Sequence, residues 1–317
     1  MEIHPVILLI LGLILLLTGG EFLVRGGVSL ASHFRISTLV VGVTVVSLGT
    51  SAPELVVSVN AALSGHPDIS MGNVIGSNIA NIGLVLGLTI IIMPVFINSK
   101  TLLFNGLVMI GSTLLLILFI SDRNLSRAEG LILFALLVAF VWYSIQRSRK
   151  NLLNGIGEVP DRKYSLVVSL LIVFVAGFAL VFGARFLVGG ASEIARNIGV
   201  SERAISVSVI ALGTSLPELA TSAIAAFRKE SDISIGNIIG SNIFNILGIL
   251  GVTASIKSIS VSPRILDFDV LWCMAISLFL FVIMLPLREV KLGRIKGGAL
   301  VLIYISYIYL VFYSDVV

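Results

Sequence analysis

Residues Ser47-Leu48-Gly49-Thr50-Ser51-Ala52-Pro53-Glu54-Leu55 lie inside a hydrophobic run that begins near Ser37 and ends near Leu63. An intact apolar helix disfavours this stretch. Gly49 weakens a helix, and Pro53 removes a backbone donor and crowds the preceding turn. Glu54 places a carboxylate at membrane depth, where a charge costs at least about 2.5–3.5 kcal/mol on insertion scales. The stretch then recurs as Ala211-Leu212-Gly213-Thr214-Ser215-Leu216-Pro217-Glu218-Leu219, with Glu218 standing 164 residues after Glu54. The same broken, acidic segment in both halves of a membrane protein points to a binding site.

The rest of the composition fits a bilayer. Of the 317 residues, 57% are hydrophobic and 12% charged, and the mean hydropathy is +1.11. Soluble domains carry roughly 25% charged residues, so soluble enzyme classes are excluded. The net charge of +4 fits basic cytoplasmic loops rather than nucleic-acid binding. His4, His33 and His66 fall near the ends of apolar runs and read as interfacial residues. Cys273 stands alone, which rules out a disulfide framework. Met1-Glu2-Ile3-His4-Pro5 lacks a basic leader region, so no cleavable signal is expected.

A span needs about 20 apolar residues. Ten are legible: 5–31, 37–63, 70–97, 101–121, 125–146, 164–195, 201–227, 234–257, 265–287 and 296–314. A polar break from Gln146 to Lys163 divides them five and five. Matches at the constant offset run across it without a gap. Gly19, Phe22-Leu23-Val24 and Gly26 match Gly183, Phe186-Leu187-Val188 and Gly190. Gly72-Asn73, Ile75-Gly76-Ser77-Asn78-Ile79 and Asn81-Ile82 match Gly236-Asn237, Ile239-Gly240-Ser241-Asn242-Ile243 and Asn245-Ile246. Five spans per copy is odd, so the second copy must cross the membrane in the opposite sense. The expected fold is an all-α polytopic membrane protein of ten transmembrane helices, built as two inverted-topology five-helix repeats with helices 2 and 7 broken. Residues 1–146 are the first repeat, 147–163 a cytoplasmic linker and 164–317 the second repeat. Loops after odd-numbered spans hold thirteen Lys and Arg residues, among them Arg147, Arg149, Lys150, Arg162 and Lys163, against six on the other side. The expected location is the cell membrane, with the linker cytoplasmic and both termini outside.

The second span carries Thr44, Ser47, Thr50, Ser51, Glu54 and Ser58 at three- and four-residue steps, one polar stripe on an apolar helix. The seventh repeats it with Ser208, Thr214, Ser215, Glu218 and Ser222. The third span offers Asn73, Ser77 and Asn81, and the eighth Asn237, Ser241 and Asn245. All four stripes are rich in oxygen, the ligand that hard cations take. Carbonyls freed at the two breaks, those of Thr50 and Thr214 among them, add further ligands. The plainer reading is that Gly and Pro kink these helices and that Ser and Thr bond to neighbours. The two glutamates weigh against it, because no Lys or Arg lies on the stripes to balance them. The glycines of spans one and six read as close helix packing. Asp68 and Asp232 read as helix caps.

The doubled Gly-Thr-Ser-x-Pro-Glu and Gly-Asn-x-Ile-Gly-Ser-Asn-Ile segments resemble the α-repeats of the calcium/cation antiporter superfamily, in particular its prokaryotic sodium/calcium exchanger branch, over essentially the whole chain. The resemblance implies that Glu54 and Glu218 hold Ca²⁺ with the carbonyls of Thr50 and Thr214. It implies sodium sites that add Ser51, Ser77, Ser215, Ser241, Asn81 and the backbone at Ser47 and Ala211, and first and sixth helices that slide across the rest. Two positions depart from the pattern. Asn245 stands where potassium-dependent members carry an acid, which implies independence from potassium. Ser47 stands opposite Ala211, which implies one altered sodium site. The proton-coupled branch reads Gly-Asn-Ala-x-Glu at the break, so the segment here favours sodium.

The expected function is therefore secondary active exchange of Na⁺ for Ca²⁺ by alternating access, with H⁺/Ca²⁺ exchange on the same fold as the alternative. An intramembrane enzyme fits poorly, since no Ser/His pair, His-Glu-x-x-His or paired protease-type aspartates lie at depth. A channel fits less well than an antiporter, because an inverted repeat puts the site between two halves rather than in a ring of subunits. The expected partners are the transported ions and the lipid bilayer, with no cofactor, nucleic acid or protein partner.

Overall fold

The structure, a computed structural model, describes residues 4–154, 160, 163–199, 211–285 and 289–314. It is a helical membrane bundle. The long helices are α1 (Pro5–Phe34), α4 (Pro67–Ile92), α6 (Arg127–Leu153), α7 (Leu166–Asn197), α10 (Ser231–Ile256), α11 (Ile265–Met284) and, between α4 and α6, α5 (Ser99–Phe119). The last helix is α12 (Arg294–Ser314). The second span is a bent pair, α2 (Thr38–Thr50) and α3 (Ala52–Leu63), at 49°. Of the seventh span the structure describes α8 (Ala211–Gly213) and α9 (Leu216–Phe227). Its first half, residues 201–210 with the stripe residue Ser208, lies outside the described residues. Among the described residues, eight helices are long and apolar enough to cross a membrane, or nine with the bent pair counted as one span.

Local chemistry sets several boundaries. The third span stops at Ile92 rather than near residue 97, because Pro94 forces Met93 into extended backbone (φ −134°, ψ 106°). The apolar residues that follow form strand β1 (Val95–Asn98). Ser126 opens α6 with a capping box closed by Glu129. Asp68 and Asp232 are not caps. His66 and Glu230 hold the cap positions, and both aspartates sit inside the first helical turn, where the helix dipole favours a negative charge. Wide π turns interrupt α2 at Gly42–Val46, α4 at Asn81–Leu86 and α10 at Phe244–Leu250. The last two begin at or next to the equivalent residues Asn81 and Asn245.

Two small sheets bracket the bundle. Strand β1 pairs antiparallel with β4 (Glu289–Leu292), and β2 (Asn124–Leu125) pairs antiparallel with β3 (Ile259–Ser260). Helix α5 runs from β1 towards β2, and α11 from β3 towards β4, so the sheets lie at opposite ends of these helices. By the sequence offset β1 corresponds to β3 and β2 to β4.

Helices α1 and α7 form a pair on the outside of the bundle, and glycine lets their backbones touch. A methyl group on Gly12 would lie 2.5 Å from the Leu187 nitrogen, one on Gly183 2.9 Å from the Leu16 nitrogen, and one on Gly190 2.5 Å from the Pro5 oxygen. These glycines pack as membrane helix interfaces do. Gly189, by contrast, faces no neighbour within 4 Å. A smaller core, with Leu23, Val24 and Leu180, lies between the α1–α7 pair and the bundle. The larger core lies around α4 and α10, with Met71, Ile75, Ile79, Ile238, Ile239 and Ile243 all buried. Cys273 is buried there as a small apolar residue.

Candidate functional site

The two breaks put their glutamates in matching positions. Ala52, Pro53 and Glu54 are the first three residues of α3, and Leu216, Pro217 and Glu218 are the first three of α9. Proline suits the first turn of a helix, where its fixed φ is already helical. It also strips Gly49 of the donor that would meet its carbonyl four residues on. Each carboxylate sits in the first turn of its helix, where the dipole stabilises it. Both are buried, Glu54 at 1% and Glu218 at 0% exposure. The hydroxyl of Ser51, three residues before Glu54, reaches Glu218 and so brings the two breaks together.

Around them the four stripes converge. Ser47, Thr50, Ser51, Ser58, Ser77, Asn81, Ser215, Ser222, Asn237, Ser241 and Asn245 are buried, whereas Asn73 and Thr214 are half-buried. Ala211 begins the one-turn helix α8. Contacts cross between the halves. The Ser51 hydroxyl donates to Glu218 Oε1 at 3.1 Å, and the Thr50 hydroxyl to Asn237 Oδ1 at 3.1 Å. Within each half an amide supports the stripe. Asn73 Nδ2 donates to Ser58 Oγ at 2.9 Å, and its equivalent Asn237 Nδ2 to Ser222 Oγ at 3.0 Å.

Several polar atoms are buried here with no hydrogen-bond partner among the described residues. They are both oxygens of Glu54, Glu218 Oε2, the hydroxyls of Ser215 and Ser241, the whole amide of Asn81 and Oδ1 of Asn245. Neither glutamate has a basic partner among the described residues, unlike Glu21, which pairs with the part-exposed Arg25 and Arg228. A buried polar group left unpaired costs about 1–3 kcal/mol, and a charge more. Natural proteins retain such groups where another species completes them. Almost all of these atoms are oxygens, and no cluster of three His, Cys, Asp or Glu accompanies them among the described residues. That donor set suits a hard cation and not a soft one.

Two predicted site features differ in detail. The Ser47 carbonyl already accepts the Ser51 N–H at 2.9 Å and lies 3.3 Å from the Thr50 hydroxyl, whose one hydrogen it shares with Asn237 Oδ1. The Ser47 hydroxyl is turned onto backbone, donating to Gly42 O at 2.8 Å and Asn237 O at 3.0 Å. Sequence reasoning passed over Asn78 and Asn242 as site residues. Both are buried beside Asn245, and the signal for them was their place in the doubled Gly-Ser-Asn segments.

Comparison with known proteins identifies the family. The family model described as sodium/calcium exchanger protein matches twice, over residues 4–146 and 168–313. The putative antiporter CaxA of Alkalimonas amylolytica is 37% identical over 97% of this chain and 98% of its own. The sodium/calcium exchanger MaX1 of Methanosarcina acetivorans is 30% identical over 97% of this chain and 98% of its own. A solved structure of the sodium-calcium exchanger NCX_Mj, soaked with Na⁺ and Sr²⁺, superposes with a TM-score of 0.83 at 34% identity, covering 98% of this chain and 99% of that one. The chain is a multi-pass membrane protein that belongs to the sodium/calcium exchanger family, a family of cation transporters rather than enzymes.

Proposed function

We propose that the protein exchanges Na⁺ for Ca²⁺ across the membrane, binding both at the paired breaks. The observation that carries this reading is the pair of buried glutamates, Glu54 and Glu218, surrounded by unpartnered oxygens and without a basic partner among the described residues. Calcium takes six to eight oxygen ligands. Glu54 and Glu218, with carbonyls freed at the breaks near Thr50 and Thr214, supply the charged part of such a shell. Ser51, Ser77, Asn81, Ser215 and Ser241, with the backbone at Ser47 and Ala211, supply neutral oxygens for sodium, and Asn245 adds a neutral oxygen open to either ion. The backbone at Ser47 is the weakest of these, because its carbonyl already accepts the Ser51 N–H and shares the Thr50 hydroxyl with Asn237.

The chain is read as two inverted repeats, residues 1–146 and 164–317, joined by a cytoplasmic linker. The two sheets at opposite ends of α5 and α11 support the inversion, since equivalent strands lie at opposite ends of the bundle. The glycine-packed pair α1 and α7 is the moving element. Gly27 meets the core through the side chains of Val41 and Val46, contacts that slide more readily than interlocked backbones, whereas a methyl group on Gly20 would also lie 3.4 Å from the Ala220 backbone.

With both glutamates ionised the empty site carries −2. One Ca²⁺ neutralises it. If three Na⁺ bind, as the family resemblance implies, the loaded site is +1 and the sodium-bearing step feels the membrane potential at about 2.3 kcal/mol per charge per 100 mV. A site loaded with two Na⁺ is neutral, and exchange is then insensitive to voltage. The test is Ca²⁺ uptake into proteoliposomes under a sodium gradient, repeated under a proton gradient and at clamped potentials. Uptake that requires outward sodium and rises with a favourable potential is the expected result. Uptake that follows pH and ignores sodium transfers the protein to proton coupling.

A further inference from the structure

We infer that Asn78 is a positioning residue that fixes Asn245 as an oxygen donor to the transported cation. This rests on the ion-binding reading above. The argument is one of hydrogen-bond polarity. Asn78 Nδ2 lies 3.2 Å from the backbone oxygen of Asn242. A carbonyl only accepts, so the nitrogen of Asn78 must face it. The oxygen of Asn78 is then left to face Asn245, and it lies 2.9 Å from Asn245 Nδ2. That oxygen only accepts, so the nitrogen of Asn245 must face it. The remaining atom, Asn245 Oδ1, is buried without a partner among the described residues. One backbone carbonyl thus dictates, through two amides, which end of Asn245 is free. Asn78, Asn242 and Asn245 are each 0–1% exposed, so water does not compete for these bonds.

The equivalent relay in the other half is not made. Asn242 Nδ2 turns instead to Ile238 O of its own helix, at 2.8 Å. Asn242 Oδ1 and both amide atoms of Asn81 are without partners among the described residues. Asn81 is therefore free to turn either end inward, whereas Asn245 presents only oxygen. A neutral acceptor held in this way accepts a cation without the reorientation that a free amide needs.

The experiment is calorimetric titration of Ca²⁺ into the purified full-length protein in sodium-free buffer, alongside flux. Asn78→Ala is expected to weaken Ca²⁺ binding about tenfold, the size of one oriented polar contact. In the Asn245→Ala background the same change is expected to do nothing further, because the group it orients is gone. Asn78→Thr, which fills more of the space but lets the polarity reverse, serves where Asn78→Ala does not fold and is expected to fall between the two. An Asn78 variant that binds Ca²⁺ as the wild type does overturns the inference. So does an equal loss in the Asn245→Ala background, which marks Asn78 as packing alone. Intact Ca²⁺ binding with the expected pattern, but no sodium-driven flux, sinks the antiport reading and leaves the role of Asn78 standing.

Discussion

The two halves carry the same motifs and bond them differently. Glu218 and Asn245, from the second half, are held by Ser51 and Asn78 from the first. The side chains of their counterparts Glu54 and Asn81 have no hydrogen-bond partner among the described residues. Ser215, which by symmetry would hold Glu54 as Ser51 holds Glu218, has an unpaired hydroxyl. Sequence identity at a site therefore does not mean identical bonding. The same side chain is satisfied by protein in one copy and left open in the other, and the open copy carries the greater desolvation cost until a cation completes it.

The largest effects are expected at the carboxylates. Glu54→Gln and Glu218→Gln each remove one of two negative charges facing a divalent ion. At an effective dielectric of 20 a unit charge about 4 Å from a divalent ion is worth about 8 kcal/mol, so Ca²⁺ uptake should fall by more than a hundredfold in either variant. The comparison predicts a difference in stability. In ion-free detergent Glu54→Gln should raise the melting temperature more than Glu218→Gln, since Glu54 lacks even the hydrogen bond that Ser51 gives Glu218. Equal shifts would break the asymmetry, and wild-type-like uptake by either variant would remove that residue from the site.

A smaller effect, on stability alone, is expected where the halves interlock. A methyl group on Gly240 would lie 2.3 Å from the Ser47 hydroxyl and 2.5 Å from the Val43 oxygen, and one on Gly236 2.8 Å from Leu39 O. Helix α10 thus lies backbone to backbone against α2. Gly240→Ala should cost about 1–3 kcal/mol by overpacking, read as a lower melting temperature. An unchanged midpoint would mean that α2 moves aside freely, and that the bonds from Thr50 and Ser51 to the second half are not set by this contact.

Much of this was legible in the sequence, and the parts that were not have physical reasons. The break at Gly49 and Pro53, the burial of Glu54 and the four stripes follow from residue chemistry and period. The strand at Val95–Asn98 was hidden because Val, Phe and Ile continue an apolar run equally well as helix or strand, and only Pro94 marked the change. The π turns at Asn81 and Phe244 were not legible, since one extra residue in a turn leaves no compositional trace. Asp68 and Asp232 were misplaced by two positions because any short acidic residue suits both the cap and the first turn. The asymmetry between the halves was out of reach altogether, because duplicated motifs argue for symmetry.

A finer test of the asymmetry compares two serines. Ser51→Ala removes the hydrogen bond to Glu218, a charge-assisted bond worth roughly 1.5–3 kcal/mol, so Ca²⁺ affinity should fall by about tenfold. Ser215→Ala removes a hydroxyl with no partner among the described residues and should shift Ca²⁺ affinity by less than about threefold. Affinities from calorimetric titration decide it. A larger loss from Ser215→Ala would show that Glu54, not Glu218, is the glutamate held by serine when calcium binds.

The smallest effect is expected at Ser47, where the halves differ in sequence. The equivalent position holds Ala211, so Ser47→Ala makes the two breaks more alike. The hydroxyl has one hydrogen, and it is shared between Gly42 O and Asn237 O. Both acceptors are backbone carbonyls of packed helices, and the hydroxyl sits against Gly240 rather than towards the unpartnered oxygens. Removing it loses one neutral hydrogen bond, about 1 kcal/mol. The small space opened beside Gly240 adds little. Ser47→Ala should therefore lower the melting temperature slightly and leave the sodium concentration for half-maximal Ca²⁺ release unchanged. The expectation that serine here alters a sodium site requires the opposite. A shift in sodium dependence of more than about threefold, with stability unchanged, would show that the hydroxyl turns from Asn237 O to the ion during the cycle.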